Sequence, residues 1–358
     1  MKHILFILLV AYSTLSFAQE KVVFINDIDS LIKQYLLDKD FPSAAVGVVY
    51  SDQVLYEKRI EREKESEAST DEKSIYNIAS VAKPFVATAI MILVQEGKID
   101  IKSPVVQYLP YFKMASKYQD DITIEHLLTH TSGLPGTSSP DDYDYLDVDT
   151  TDSALINHIK SLSELKLKFK PGKKYAYSNV GFEILGQIIA EVSGMSFDEF
   201  MNAKLFQPLQ MNRTSYILSN FQATDISQPH LGHPNQKTNR FPYNRAFSPS
   251  GNLFTPIEDI NKWMIFNLNA GKWNGFKPLS SENFNELITP RVENDDDGFV
   301  GLGWMIEKNL IVHDGLDMGY SALMVLFKKQ KIGITVLINH QEADCNELLN
   351  LIAKSIKW

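Results

Sequence analysis

The pattern of apolar and polar positions predicts β-structure at both ends of the chain. Apolar residues at helical spacing over 25–37 predict a helix, and the runs 43–50 and 54–58, separated by a short polar turn, predict a hairpin. Towards the C-terminus, short β-rich runs precede a helix predicted at about 346–357; these runs are 303–307, 310–313, 321–328 and 332–339. Strands are therefore expected from both ends of the chain.

The middle of the chain has mainly helical periodicity. We predict helices at 80–96, 124–128, 153–162, 179–192, 197–205 and 257–269. The stretches 141–152 and 219–250 lack regular periodicity, and loops of that length in a compact domain are usually functional or mobile. The middle is thus a helical region interrupted by long loops.

Together these elements predict an α+β fold. An antiparallel sheet built from both chain ends and flanked by terminal helices is expected to carry an inserted, mainly helical domain. We place the sheet domain at 19–75 and 291–358 and the helical domain at 76–290. The functional site is expected at their junction.

The first residues predict export from the cell. Lys2 and His3 precede an apolar run at 4–10, and small or polar residues follow up to Ala18, which is typical of a signal peptide cleaved near Ala18. The apolar run is shorter than the roughly 20 residues of a membrane helix, although a retained anchor is the alternative. We expect a periplasmic or secreted protein without a stable membrane anchor.

Composition narrows the class of partner. A formal net charge of −9 disfavours binding to nucleic acid or to an anionic membrane, so a small-molecule or peptide substrate is expected. Cys345 is the one cysteine, which excludes an internal disulfide. His230 and His233 have a metal-like spacing without clustered carboxylates, so we expect no metal and no cofactor. The oligomeric state is left open.

Three segments of the chain have the pattern S-x-x-K, and their surroundings separate them. The segment 30–33 lies on a half-exposed amphipathic helix, and 163–166 lies in a lysine-rich, solvated region. Ser80 instead opens a helix whose residues after Lys83 are apolar nearly all round, which predicts burial. Ser80 and Lys83 are therefore the pair with a chemical role.

Ser80 and Lys83 are suited to nucleophilic catalysis. Residues three apart share one face of a helix, so the hydroxyl and the amine can meet. Burial and the positive end of the helix dipole both disfavour the ammonium form, leaving Lys83 neutral enough to activate Ser80. The Ser80 amide at the helix N-terminus can donate to an oxyanion. The alternative is that Ser80 caps the helix and Lys83 reaches solvent.

Two further motifs supply partners for this pair. Tyr177 and Asn179 stand at a helix entrance, where alternate residues of an extended segment face the same way, although Tyr177 alone is more often a core aromatic. His313-x-Gly315 follows the predicted strand at 310–312. A glycine beside an edge strand lets a substrate backbone approach closely, and the Leu316 amide can supply a second oxyanion donor.

In this order the three motifs resemble the active-site motifs of class C β-lactamases and related penicillin-recognising serine hydrolases. The resemblance covers roughly 27–340 and includes the segment 127–135. It implies a β-lactamase/transpeptidase-like fold in which Lys83 and Tyr177 share the proton transfers and Asn179 orients the substrate amide. His313 is implied to line the sheet edge. A neighbouring lysine cation is expected to favour the Tyr177 phenolate, which makes Tyr177 a candidate base or leaving-group acid.

One departure from the family pattern bears on the substrate. Lys-Thr-Gly is usual in true β-lactamases of this class, whereas this chain has His313-Asp314-Gly315, which exchanges a permanent cation for a switchable one. In the resembled family H-x-G is commoner among esterases and D-amino-acid peptidases. We therefore expect an exported serine hydrolase that cleaves an ester or amide through an acyl-enzyme on Ser80. The alternatives are a true β-lactamase and a non-catalytic ligand-binding protein on the same fold.

Two other signals have simpler explanations. His130, which precedes a glycine turn, is expected to be a hydrogen-bonded structural histidine. The segment 250–252 imitates an S-x-N motif of other penicillin-recognising branches, a role that Tyr177 makes redundant. We expect its loop to form an apolar cleft wall with the aromatic residues Tyr243, Phe247 and Phe254.

Overall fold

The computed structural model describes residues 27–62, 74–136, 148–232, 236–238, 243–295 and 297–356. The predicted signal peptide, most of the stretch 141–152 and His233 lie outside these described residues. Within the described ranges no single helix is long and apolar enough to cross a membrane. One bent pair, Asn179–Ser193 with Phe197–Phe206, meets both criteria when its two helices are taken together.

An eight-stranded antiparallel sheet lies at the centre of the fold, in the order β2-β1-β12-β11-β10-β9-β8-β7. Its strands are β1 (Ser43–Tyr50), β2 (Gln53–Glu61), β7 (Val292–Glu293), β8 (Phe299–Val300), β9 (Met305–Glu307), β10 (Leu310–Asp317), β11 (Tyr320–Phe327) and β12 (Ile332–Ile338). Val46 of β1 lies opposite Val336 of β12. Strands from the two ends of the chain therefore pair with each other inside the sheet.

Two terminal helices, α1 (Ile28–Lys39) and α10 (Cys345–Ser355), cover one face of the sheet. The helical part of the chain covers the other face, so β1 and β12 are buried on both sides, which explains why almost every residue in them is apolar or small. Cys345 is buried at the start of α10, and burial raises the pKa of its thiol, which disfavours the reactive thiolate. The predicted α+β fold class is confirmed.

The inserted region contains eight α-helices among the described residues. They are α2 (Lys83–Gln95), α3 (Val105–Tyr108), α4 (Ile124–Leu128), α5 (Ala154–Ser161), α6 (Asn179–Ser193), α7 (Phe197–Met201), α8 (Ile257–Leu268) and α9 (Ser281–Leu287). The buried helix α2 is central, and its Phe85 stacks on Trp263 of α8 with ring centroids 3.9 Å apart. Four two-residue strands form two small antiparallel ladders: β3 (Tyr76–Asn77) with β6 (Phe254–Thr255), and β4 (His230–Leu231) with β5 (Gln236–Lys237).

Three boundaries near the site differ from the sequence prediction. The residues expected to open a helix at Ser80 form a 3-10 turn, Ala79–Ala82, which runs directly into α2. The strand expected to end before His313-x-Gly315 continues to Asp317, so this motif lies within β10. The helix predicted at 197–205 is interrupted after α7 by the wider turn Asn202–Phe206. The first two differences set where the reactive groups lie.

Candidate active site

Ser80 lies on the turn between β3 and α2, and this turn is attached to the sheet. Ala79 has a φ of 47°, in the left-handed region that is unfavourable for a residue with a side chain. The Ala79 amide donates to Asn77 Oδ1 at 2.8 Å, and Asn77 Nδ2 donates to Asp317 Oδ2 of β10 at 3.2 Å. These bonds hold the strained turn against the end of β10.

Lys83 is fully buried one turn beyond Ser80. Its Nζ lies 2.8 Å from Ser80 Oγ and also donates to the backbone carbonyl of Ser250. Burial lowers the pKa of Lys83 to about 7, although the carboxylates of Glu183, Asp314 and Asp317 act in the opposite direction. Near neutral pH the amine is thus able to accept the serine proton, as the sequence predicted.

The other two S-x-x-K segments have no comparable arrangement. Ser30 is exposed on α1, and the Lys33 ammonium donates to the backbone carbonyl of Glu61 at 2.7 Å. Ser163 and Lys166 are both exposed. Ser30 and Ser163 are therefore surrounded by solvent, whereas the Ser80 hydroxyl is in contact with the buried Lys83 amine.

Tyr177 completes a three-residue cluster with Ser80 and Lys83. Its hydroxyl forms a hydrogen bond with Ser80, and its ring centroid lies 5.0 Å from Lys83 Nζ. Burial raises the pKa of Tyr177 far above its ordinary value, although the hydrogen bond with Ser80 acts to lower it. The phenolate expected from the sequence is therefore wrong, because Tyr177 stays a neutral phenol and the neighbouring amine itself loses its charge near pH 7.

His130 fixes the position of Tyr177 from behind. The two rings stack with centroids 4.3 Å apart, and His130 Nδ1 accepts a hydrogen bond from the Ser178 amide at 3.1 Å. Burial, with a smaller effect from the charge of Lys83, holds the pKa of His130 well below its ordinary value, so the ring is neutral. These contacts agree with a structural role for His130.

Asn179 is the first residue of α6, directly after Ser178. Ser178, between Tyr177 and Asn179, is extended, with φ −146° and ψ 117°, so the side chains on either side of it leave the chain in the same direction. Ser178 caps α6 by accepting from the Gly181 amide, and its hydroxyl donates to the Pro135 carbonyl at 2.9 Å. The entrance of α6 is thereby fixed.

The edge of the sheet is open beside the Ser80 turn. β10 pairs with β9 only over its first three residues, and no described strand lies against 313–317 on that side. A Cβ added to Gly315 would lie 2.4 Å from the Ile78 carbonyl oxygen and 3.0 Å from the Ser80 backbone nitrogen. Glycine is required here because a side chain would push the turn away from the strand.

Leu316 is placed so that its backbone amide can face the Ser80 turn. Asp317 closes the β10–β11 hairpin opposite Tyr320, and N–H groups along an antiparallel strand point alternately towards and away from the partner. The Leu316 amide therefore points away from β11, while its side chain is 54% exposed. This orientation is compatible with the predicted second oxyanion donor.

His313 is buried on the same face of β10 as Gly315. Its Nδ1 donates to the Asp314 carbonyl at 2.7 Å, which leaves Nε2 as an acceptor, and Nε2 is buried with no hydrogen-bond partner in the described part of the chain. Burial lowers the pKa of His313 to about 4, although the charge of Asp314 acts in the opposite direction. The switchable cation expected from the sequence is thus uncharged at neutral pH.

The buried groups behind Lys83 were not predicted from the sequence. Glu183 of α6 is fully buried, accepts from Ser250 Oγ at 2.9 Å and contacts His158 Nε2 of α5 at 2.7 Å. Ser250, set aside as redundant, supplies the carbonyl that accepts from Lys83. One signal in the sequence could have indicated this site: Glu183 stands among apolar residues at the start of α6. Glutamate is rarely buried without a partner, so a buried position for it predicts a paired carboxylate.

The aromatic residues near Ser250 differ from the expected cleft wall. Phe254 is fully buried, with its ring centroid 6.0 Å from that of Tyr243, so the expectation that it lines an open cleft is wrong. Phe247 packs edge-on against His158 at 5.3 Å. Across the described residues no group of three or more His, Cys, Asp or Glu side chains is arranged to hold a metal ion.

Comparison of sequences relates the chain to known proteins. A family model described as β-lactamase matches residues 28–354. Protein flp of Staphylococcus aureus (strain COL) is 29% identical over 321 residues, which are 88% of this chain and 63% of that protein. The chain therefore spans somewhat less than two thirds of the length of this curated relative.

Two solved structures share the fold. The octameric penicillin-binding protein homologue from Pyrococcus abyssi superposes with a TM-score of 0.80 at 24% identity, covering 93% of this chain and 77% of that one. D-amino acid amidase from Ochrobactrum anthropi gives a TM-score of 0.76 at 18% identity, covering 92% and 97%. The family model spans most of the sequence, and the chain therefore belongs to the β-lactamase family, the group of serine hydrolases that includes the penicillin-binding proteins.

Proposed function

We propose that the protein cleaves an ester or amide bond by transferring the acyl group to Ser80. The observation that carries this proposal is the contact of 2.8 Å between Ser80 Oγ and the buried Lys83 Nζ. Because burial lowers the pKa of Lys83 to about 7, much of the amine is uncharged at neutral pH and able to take the serine proton.

Acylation begins when a substrate carbonyl lies between Ser80 and β10. As Ser80 Oγ bonds to the carbonyl carbon, its proton passes to Lys83 and the electron pair of the C=O bond moves onto oxygen, where the amides of Ser80 and Leu316 donate. The intermediate then re-forms the carbonyl and expels the leaving group, which takes a proton from the Tyr177 phenol while Lys83 returns its own to Tyr177. Water attacks the acyl carbon in the second half, with the proton transfers reversed.

A small acyl or D-amino-acid substrate is favoured over a β-lactam within this proposal. Burial lowers the pKa of His313 to about 4, so this side chain carries no positive charge at neutral pH with which to bind a β-lactam carboxylate. Its Nε2 is left as an acceptor and is buried, so it offers no positive charge in place of a lysine. The similar fold of a D-amino acid amidase supports the same class.

Covalent labelling tests the nucleophile. We expect a fluorophosphonate to label the purified wild-type chain and to leave Ser80→Ala unlabelled. Ser30→Ala is the matched control, because Ser30 also stands in an S-x-x-K sequence but is exposed, and it should label like the wild type. Labelling that survives in Ser80→Ala, or a folded wild type that is never labelled, contradicts the proposal; the second result indicates a ligand-binding protein.

A substrate panel tests the specificity. p-Nitrophenyl esters and D-alanyl peptides should be hydrolysed with higher kcat/KM than the β-lactam nitrocefin. Faster turnover of nitrocefin than of every ester and peptide would instead identify a true β-lactamase.

We further propose that the chain is exported to the periplasm or secreted. The support is the charged pair Lys2-His3, the apolar run at 4–10 and the small residues that precede Ala18. Expression of the full sequence in a bacterium should give a mature chain that begins near residue 19, measured by intact mass. Uncleaved protein in the cytosol or in the membrane contradicts this.

A further inference from the structure

A continuous set of contacts leads from Lys83 to the surface of the helical region. Lys83 donates to the Ser250 carbonyl, and the hydroxyl of the same serine donates to Glu183 Oε1 at 2.9 Å. The second oxygen, Glu183 Oε2, lies 2.7 Å from His158 Nε2. Glu183 is completely buried, whereas the His158 side chain is 20% exposed and thus open to protons from solvent.

A purely structural role does not explain a carboxylate at this place. A buried charge is costly, and an apolar residue of similar volume would pack among the apolar neighbours of α6 without that cost. The charge of Glu183 does, however, act on Lys83, where it opposes the effect of burial on the pKa of the amine. The carboxylate therefore changes the protonation of the catalytic base.

The partner of Glu183, His158, has a raised pKa. Burial acts to lower the pKa of His158, but the hydrogen bond and the charge of Glu183 outweigh it and the pKa is raised. His130 and His313 on the other sides of Lys83 both have lowered pKa values and stay neutral. Of these three histidines, His158 alone has a raised pKa, which favours its charged form.

Other charged groups also lie around Lys83, Glu183 and His158. Asp314 and Asp317 of β10 act on Lys83 in the same direction as Glu183. Arg245, on the 3-10 turn Arg245–Phe247 beside α5 and α6, binds Asp198 and Asp152. Tyr177 remains a neutral phenol. Glu183 and His158 thus form a separate pair whose balance of charge acts on Lys83.

We propose that Glu183 is a positioning residue that holds Ser250 against Lys83 and, with His158 as its counter-charge, sets the pH at which Lys83 becomes a base. This inference rests on the proposed acylation of Ser80. Removing the negative charge disfavours the Lys83 ammonium and lowers its pKa, whereas removing the positive charge of His158 leaves Glu183 uncompensated and raises it. The two substitutions are therefore expected to act in opposite directions.

The test follows the rate of fluorophosphonate labelling of Ser80 between pH 5 and 9, which does not require the natural substrate. For Glu183→Gln, which retains the hydrogen bond from Ser250, we expect the rising limb of the profile to move to lower pH by about one unit. For His158→Gln, whose amide nitrogen replaces Nε2, the limb should move to higher pH. Circular dichroism verifies that each variant is folded.

Glu191→Gln is the matched control. Glu191 lies two turns further along α6, is exposed and contacts Tyr111 Oη at 3.3 Å, so the same change of charge should leave the limb in place. This inference is overturned, and the proposed function is not, if the wild type is labelled but the rising limb of the folded variants does not move. The same holds if both limbs move in the same direction. If Glu183→Gln does not fold, an unmoved limb in His158→Gln overturns it. A wild type that is labelled at no pH overturns the proposed function and this inference with it.

Discussion

Gly315 of β10 lies so close to Ser80 that an added Cβ would come within 3.0 Å of the Ser80 backbone nitrogen. In Gly315→Ala the methyl group would also meet the Ile78 carbonyl at 2.4 Å, so the turn must shift away from the sheet. Because a displacement of about 1 Å at a reacting centre can cost roughly 100-fold in rate, we expect a loss of that order in kcat/KM.

The matched control for this substitution is Leu316→Ala. The Leu316 side chain is 54% exposed, and only its backbone amide is expected to act, so activity should stay near the wild-type value. Esterase assays on both variants, with circular dichroism as the check on folding, test the prediction. Full activity in Gly315→Ala would show that the turn is not held in place by this contact.

The pH dependence of kcat/KM should follow the protonation of Lys83. Activity should rise with pH and reach half of its plateau near pH 7, because only the neutral amine accepts the Ser80 proton and burial lowers the pKa of Lys83 to about 7. Lys83→Arg retains a cation that does not deprotonate and should be inactive over the whole range. Retained activity in this variant would exclude Lys83 as the base.

Lys83 should also lower the stability of the fold at neutral pH. Its pKa is about 7 in the folded chain and higher when unfolded, so the unfolded state binds more protons and the free energy of unfolding rises with pH from about 7 to 10. Lys83→Met removes this penalty, and for a chain of this length thermal unfolding at pH 7 should shift upwards by about 1–2 °C for each kcal/mol recovered. The difference between the two proteins should shrink towards pH 10. A lower Tm for Lys83→Met than for the wild type at pH 7 would contradict the prediction that the buried Lys83 amine destabilises the fold.

Tyr177 should contribute a proton rather than a negative charge. Burial keeps its phenol protonated, so no decrease in kcat/KM between pH 8 and 9 should come from Tyr177. Tyr177→Phe should lose about 100- to 10,000-fold in kcat, as is usual when a proton donor is removed. Tyr175→Phe, two residues earlier, is the control and should retain activity. Equal kcat values for Tyr177→Phe and the wild type would remove Tyr177 from the mechanism.

The sequence predicted the parts of this protein that depend on local pattern. β1 matches the predicted 43–50, because a strand buried on both faces is apolar or small nearly throughout. Ser80 and Lys83 were found because a serine and a lysine one turn apart precede an apolar helix. Tyr177 and Asn179 were predicted because a turn and an apolar helix follow each other there, and the structure places Tyr177 beside Ser80 and Lys83.

The remaining features depend on packing between distant segments. Glu183 and His158 meet only because α5 packs on α6, and no residue spacing in the sequence predicts that contact. Lys83 binds a backbone carbonyl of Ser250, and a carbonyl carries no sequence signal. The continuation of β10 through Asp314 and Gly315 was missed because both residue types are rare in strands.

The pairing of β1 with β12 also determines when the protein can fold. Val46 and Val336 lie opposite each other although about 290 residues separate them, so β1 lacks its inner neighbour until the chain has been synthesised through β12. The central sheet is therefore completed only after β12 has been translated. A nascent chain that stops before Ile332 exposes the apolar edge of β1, a surface on which incomplete chains aggregate.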